Sequence, residues 1–294
     1  METVQRWRET MSVSALPFRS VSPIPSPQRQ RAVGHVSFGA MALGGQTRPA
    51  RIAESGSVRV RLPRSGGAGL EAVLVNTAGG IACGDRFAIE IEAQPGAWVS
   101  VATPAAEKVY RSDGAVAELS VKLMLGERAR LDWLPQETIL FDQARLARRL
   151  DADMREDARL TLFEAVVFGR EARAEQVAEG FFEDRWRIRR GQRLAYADTL
   201  RLDGPIADLL KKPSVAKGAR AIATLLHVAP DAEARLEEAR GYLSAGSGCD
   251  AAASAWNGLM AVRFCAVNIE ALRAAACPFL VAFRREPLPR VWLS

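Results

Sequence analysis

Two acidic residues stand where apolar ones are expected. In RLTLFEAVVFG, Leu160, Leu162, Glu164, Val166 and Phe168 share one parity, and the other parity, Phe163, Ala165 and Val167, is also apolar. Read as a strand, the segment buries Glu164 whichever face meets the core. In RLAYADTLRL, Leu194, Tyr196, Asp198, Leu200 and Leu202 share parity against Arg193, Thr199 and Arg201, which turns Asp198 inward. A buried carboxylate is costly unless it is paired, hydrogen-bonded, hydrated or bound to a metal. Two readings stay open for both acids. One is an ion pair with one of the many arginines, or a bond to backbone N–H. The other is a carboxylate lining an internal polar path or site.

A third candidate closes a glycine-rich turn, VNTAGGIACGD, where Cys83 and Gly84 precede Asp85. A phosphate cradle would need GxGxxG spacing and a helix after it. The spacing is wrong, and RFAIEIEAQPG alternates like a strand. The sequence has no GxxxxGK[ST] motif, so the chain is not itself a P-loop GTPase. Its two histidines, His35 and His227, have no neighbours that suggest a nucleophile–base pair. With so few histidines and no CxxC, a zinc site of His and Cys is not expected.

The elements that must hold these residues are mostly strands. Val58, Val60 and Leu62 alternate with arginines, and Phe87, Ile89 and Ile91 alternate with polar residues. Leu119, Val121, Leu123 and Leu125, then Trp186 and Ile188, repeat the pattern. Turn signals such as LPRSGGAG, AQPGA, RSDGA and RRGQ fall between. From about Val33 to Leu202 the pattern predicts a long body of short, largely antiparallel strands, without a convincing internal repeat. The last third predicts a helix over Pro230 to Leu243 and a buried strand in GLMAVRFCAV. A second helix starts near Asn268, which can cap it, and Pro278 should bend or end it. Residues 1–31, with SVSPIPSPQRQR, read as a disordered or extended tail, leaving 32–294 as a single β-rich domain.

Composition narrows the partners. The net charge is +6, but 40 basic residues are offset by 34 acidic ones. The excess is scattered, with no Lys/Arg block of the kind a nucleic-acid arm carries. No apolar run is long enough to span a membrane, and the N-terminus lacks the apolar stretch of a secretory signal. A cytoplasmic protein is expected, with Cys83, Cys249, Cys265 and Cys277 reduced and serving as packing residues.

Four segments, taken in order, resemble the urease accessory protein family UreD, also called UreH. They are VNTAGGIACGDRF (75–87), TPAAEKVYRSDGAVA (103–117), LDWLPQETILFDQARL (131–146) and LPRVWLS (288–294). The match runs from about residue 33 to the end, beyond the tail. The resemblance implies a β-strand helicoid with a few helices near the C-terminus and a non-enzymatic role in urease maturation. It implies a complex with UreF and, through it, the GTPase UreG, with a possible dimer of that unit. The complex docks on apo-urease and delivers nickel, which passes through an internal tunnel. No tightly bound cofactor is implied, only transient Ni²⁺, for which weak, exchangeable oxygen ligands suit a conduit. Carried over by motif, Asp85, Glu164 and Asp198 are candidates for lining the nickel path, and Glu107 is a further one. Two alternatives are a pure docking platform without nickel passage and an unrelated β-rich enzyme. One departure stands out: where the family has Gly-Gly-Asp, this chain has Cys83-Gly84-Asp85. A positive φ at that position would strain a cysteine by about 1–2 kcal/mol.

Overall fold

The computed structural model describes residues 31–64, 69–243 and 248–293. The N-terminal tail expected from sequence, through residue 30, lies outside them, as does part of LPRSGGAG. The chain forms seventeen strands among the described residues. In order they begin β1 (Val33–Leu43), β2 (Gln46–Gly56), β3 (Val58–Arg61), β4 (Leu70–Asn76), β5 (Arg86–Ala93) and β6 (Trp98–Ala102). Next come β7 (Glu107–Val109), β8 (Ala117–Leu125), β9 (Arg130–Leu134), β10 (Thr138–Leu140), β11 (Arg145–Met154) and β12 (Arg159–Phe168). The last are β13 (Gly180–Arg190), β14 (Arg193–Gly204), β15 (Ala221–Val228), β16 (Cys249–Trp256) and β17 (Leu259–Ala266). Three helices accompany them: α1 (Ile206–Lys211), α2 (Leu236–Tyr242) and α3 (Ile269–Arg284). None is long and apolar enough to cross a membrane.

The strands form two sheets. One runs β14-β13-β11-β8-β5-β1-β2; the other runs β16-β17-β15-β12-β9-β6-β4-β3, with β10 joining β12 to β7. The chain crosses from the first sheet to the second and back, one rung at a time. Each rung lays its strands down in the same direction as the last. So β1, β5, β8, β11 and β13 pair in parallel, as do β4, β6, β9 and β12. Antiparallel pairs are confined to the ends of each sheet. The mostly-β body and late helices match the sequence expectation. The pairing sense departs from it, because alternation reports which face is buried and not which way the neighbouring strand runs.

The rungs also repeat, which the sequence hides. Three equivalent tight turns join the sheets, closed by N–H bonds from Ala97 to Gln94 (2.9 Å), Ala129 to Gly126 (3.2 Å) and Ala158 to Arg155 (3.1 Å). They stack on one another: Gly96 N–H donates to the Glu127 carbonyl at 2.8 Å. Arg128 N–H in turn donates to Asp157 Oδ1 at 3.0 Å. Each turn ends on a fully buried alanine, the one side chain the three share in that place.

One core fills the space between the sheets, from Phe38, Ile91 and Leu123 on one side to Leu131, Leu160 and Leu162 on the other. A second core lies on the outer face of the larger sheet, where Phe163, Leu225 and Val262 meet Leu272, Phe279 and Phe283 of α3. Asn268 caps α3 as expected, its Oδ1 accepting from Ala271 N–H at 2.8 Å. Pro278 does not end α3, which runs on to Arg284. A proline inside a helix costs about 3 kcal/mol. Burial of Phe279, Leu280 and Phe283 beyond it, each fully covered, is worth about 1.5–3 kcal/mol apiece and outweighs that. The helix expected from Pro230 begins later, at a 3₁₀ turn over Glu233–Arg235. Asp231 instead faces Arg159, 2.6 Å away.

A charged seam between two cavities

The inward parity of five strands carries charge. Arg148 on β11 lies directly beside Asp184 on β13, and Trp186 on β13 lies beside Asp198 on β14. Facing them across the core, Glu164 on β12, Thr224 on β15 and Arg263 on β17 form one cross-strand row. The two rows complement each other in sign. Arg148 meets Glu164, and Arg263 Nη2 meets Asp198 Oδ2 at 2.6 Å. The seam runs from a buried end at Arg148 to an open end at Arg263, whose side chain is 62% exposed.

At the buried end the guanidinium is fully engaged. Arg148 Nε and Nη2 donate to Asp184 Oδ1 and Oδ2 at 3.0 and 2.6 Å. Its Nη1 donates to Glu164 Oε2 and, at 3.4 Å, to Thr138 Oγ1. Trp133 Nε1 donates to the other Glu164 oxygen at 2.7 Å, and Trp186 Nε1 to Asp184 Oδ1 at 3.0 Å. Burial pushes the Glu164 carboxyl above its ordinary range, opposed by Arg148 and reinforced by Asp184. Burial works against the Arg148 charge too, but Asp184 and then Glu164 more than offset it and keep the guanidinium protonated.

Two cavities flank this cluster. One, of about 60 Å³, is lined by Glu107, Asn76, Thr103, Gln136, Thr138, Arg148 and Glu164 among apolar side chains. The other, of about 190 Å³, is lined by Asp184, Asp198, Thr224 and Arg263 with Trp186 and Phe264. It shares Val215, Arg263 and Cys265 with a wider cleft of about 390 Å³. The cluster therefore lies between the two spaces, called inner and outer below: Glu164 and Arg148 line the first and Asp184 the second. Glu107 sits in the inner one with Asn76 Nδ2 at 3.2 and 3.4 Å from its two oxygens. Burial raises its pKa to about 7, against the pull of the Asn76 bond.

Asp85 is placed differently. It is 3% exposed and lines neither cavity. Its Oδ1 accepts from Ala32 N–H and its Oδ2 from Ala82 N–H, both at 2.7 Å. The carboxylate clamps the glycine turn and ties β1 to it. Asp85→Asn keeps one of these acceptors and is expected to cost about 1–2 kcal/mol, read as a lower urea midpoint. The glycines of the turn are required by geometry. Gly80 has φ +142°, and a Cβ there would lie 2.5 Å from the Tyr110 ring. Cys83 carries no such strain, since the positive φ falls on Gly84. Its buried thiol donates to Asp113.

Three of the four segments that carry the family resemblance line the inner cavity, and the fourth, 288–294, packs on the third. The glycine turn pairs with the 103–117 segment through an Ile81–Val109 bridge, and Tyr110 Oη donates to the Gly79 carbonyl at 2.8 Å. Gln136 of the third segment donates to the Val291 carbonyl at 2.8 Å, and Trp292 Nε1 to the Leu134 carbonyl at 2.9 Å. Sequence reasoning found Glu107, Glu164 and Asp198 but missed Arg148 and Asp184. Both obey the same parity rule, in strands that carry charges on either face. Arg148 shares parity with buried Leu146 and Leu150, and Asp184 with buried Phe182 and Trp186. No group of three or more His, Cys, Asp or Glu placed to hold a metal occurs among the described residues. The seam thus offers single carboxylates in series rather than a cage.

Comparison with known proteins agrees with the family resemblance. Residues 31–293 match the family described as UreD urease accessory protein. The urease accessory protein UreD of Xanthobacter autotrophicus is 57% identical over 291 residues, covering 97% of this chain and all of that protein. The UreD proteins of Azorhizobium caulinodans and of a Methylobacterium species are 56% and 57% identical over 268 and 279 residues. The alignments take in 91% and 93% of this chain, and 98% and 99% of those proteins. With the family matched across the whole described fold, and with its motifs in contact in neighbouring pairs, the chain belongs to the UreD family of urease accessory proteins.

Proposed function

We propose that the protein is a scaffold and nickel conduit in urease maturation. In this reading it works in the cytoplasm, binds UreF and through it UreG, and docks on apo-urease. A dimer of that three-protein unit is part of the proposal. The observation that carries the conduit role is the seam: two cavities, each with carboxylates in its lining, separated by the bonded cluster of Glu164, Arg148 and Asp184. Glu107, Glu164, Asp184 and Asp198 are oxygen donors suited to a hard-to-borderline cation that must be released again. A site with several histidines or thiolates would hold the ion. Asp85 enters this reading as the residue that fixes the glycine turn beside the path.

The rival reading is a docking platform through which no metal passes. Thr224 separates the two, because it lines the outer cavity between Glu164 and Arg263 and carries no charge of its own. Thr224→Trp fills that space. With UreF binding intact, a conduit loses nickel delivery, and the nickel content of urease falls to that of cells lacking the protein. A platform keeps urease fully loaded, and that result overturns the conduit role.

A further inference from the structure

Arg148 has a property that no nickel ligand would need: it already fills a cation position. Its guanidinium lies between Glu164, which lines the inner cavity, and Asp184, which lines the outer one. Both of its donor edges are used, two bonds to Asp184 and one to Glu164. One face turns to the Phe182 ring, with the centroid 5.8 Å away. The side chain is 3% exposed. A divalent cation arriving from either side meets a fixed positive charge at the partition. It also finds the two nearest carboxylates already neutralised in part. In a medium that screens poorly, two such charges do not share the site. If the guanidinium withdraws, the same two carboxylates carry just the charge that a divalent ion needs.

We propose that Arg148 is the gate of the seam: it holds the Glu164–Asp184 position until a divalent cation takes its place, so that crossing is an exchange of one cation for another. This rests on the conduit reading. The outer cavity, at about 190 Å³, is the larger of the two spaces beside the cluster, and Asp184, to which Arg148 is bonded, lines it. Arg148 is thus a positioning and selecting residue, and the carboxylates are the ligands. The exchange explains why the cluster can be tight and yet not trap the ion. The returning guanidinium competes it off.

The test uses the full chain co-produced with its partner proteins and urease, with Ni²⁺ as the probe. Arg148→Met removes the competitor and leaves both acids, so retained Ni²⁺ by equilibrium dialysis should rise roughly tenfold or more. Arg148→Lys keeps the competing charge and should restore near wild-type retention. A folded Arg148→Met protein that binds no more Ni²⁺ than the wild type overturns the proposal. Where Arg148→Met does not fold, Arg148→Gln keeps a neutral hydrogen-bond donor between the two acids. It should raise Ni²⁺ retention in the same way, and unchanged retention overturns the gate. Thr224→Trp tells the two ideas apart. If it leaves urease loaded, the conduit itself fails. If it blocks loading while the Arg148 variants change nothing, the conduit stands and only the gate fails.

Discussion

Glu164→Ala should lower the stability of the chain by about 3–5 kcal/mol at pH 7, the range seen when one partner of a buried ion pair is removed. The loss has two parts. Arg148 keeps its two bonds to Asp184 but its Nη1 is left with only the long 3.4 Å bond to Thr138 in a buried site. Trp133 Nε1, which donates to Glu164 at 2.7 Å, loses its acceptor. Glu164→Gln isolates the charge. Its amide oxygen still accepts from Trp133, so the tryptophan half of the loss vanishes, and about 1–2 kcal/mol should remain. Urea unfolding curves of the three proteins, compared by midpoint at equal slope, read the difference. A Glu164→Ala protein within 1 kcal/mol of the wild type, on the roughly 1 kcal/mol scale of an ordinary hydrogen bond, would show that the cluster adds nothing to the fold.

Glu107→Gln should instead stabilise the protein, and only at higher pH. In the folded chain the Glu107 carboxyl holds its proton up to about pH 7, against 4.5 as its ordinary value. Between those two values the native state carries a proton that the unfolded chain has released. Stability therefore falls as pH rises across that window and levels off above it. The full swing is about 3 kcal/mol. Glutamine is neutral at every pH and can keep the Asn76 contact. The variant should match the wild type near pH 4.5 and exceed it by up to about 3 kcal/mol at pH 8. Chemical denaturation from pH 5 to pH 8 checks the slope, which should be negative for the wild type and flat for the variant. The same group bears on the proposed cargo. A cation binding at Glu107 must drive the proton off, so uptake at the inner cavity should strengthen as pH climbs through 7.

The sequence made the buried acids visible because Glu164 stands alone among apolar residues. Arg148 and Asp184 obey the same parity rule but hide in RLARRLDADM and FFEDRWRIRR, where charges occupy both faces. One misplaced charge among many carries little signal. The pairing of rows across the core was hidden for a different reason. It depends on which strands of two sheets face each other, and alternation within one strand does not encode that. The late helices were legible from an N-cap and acidic first turns. The run of α3 through Pro278 was not, since it rests on tertiary burial that outweighs a local preference. The four family segments each looked modest alone. Folded, they are neighbours.

The stacked turns have a consequence for distance. The space between the sheets extends in the direction in which strands are added, and each strand advances about 4.8 Å. The seam residues occupy successive strands of each sheet, Thr224 standing between Glu164 and Arg263 in the larger one, so the seam runs along that same direction. A chain built in this way measures length by counting rungs. A relative that inserted or lost one rung would lengthen or shorten the interior by one step, with its walls otherwise unchanged. The protein is, in that sense, a ruler whose graduations are the buried alanines at its corners.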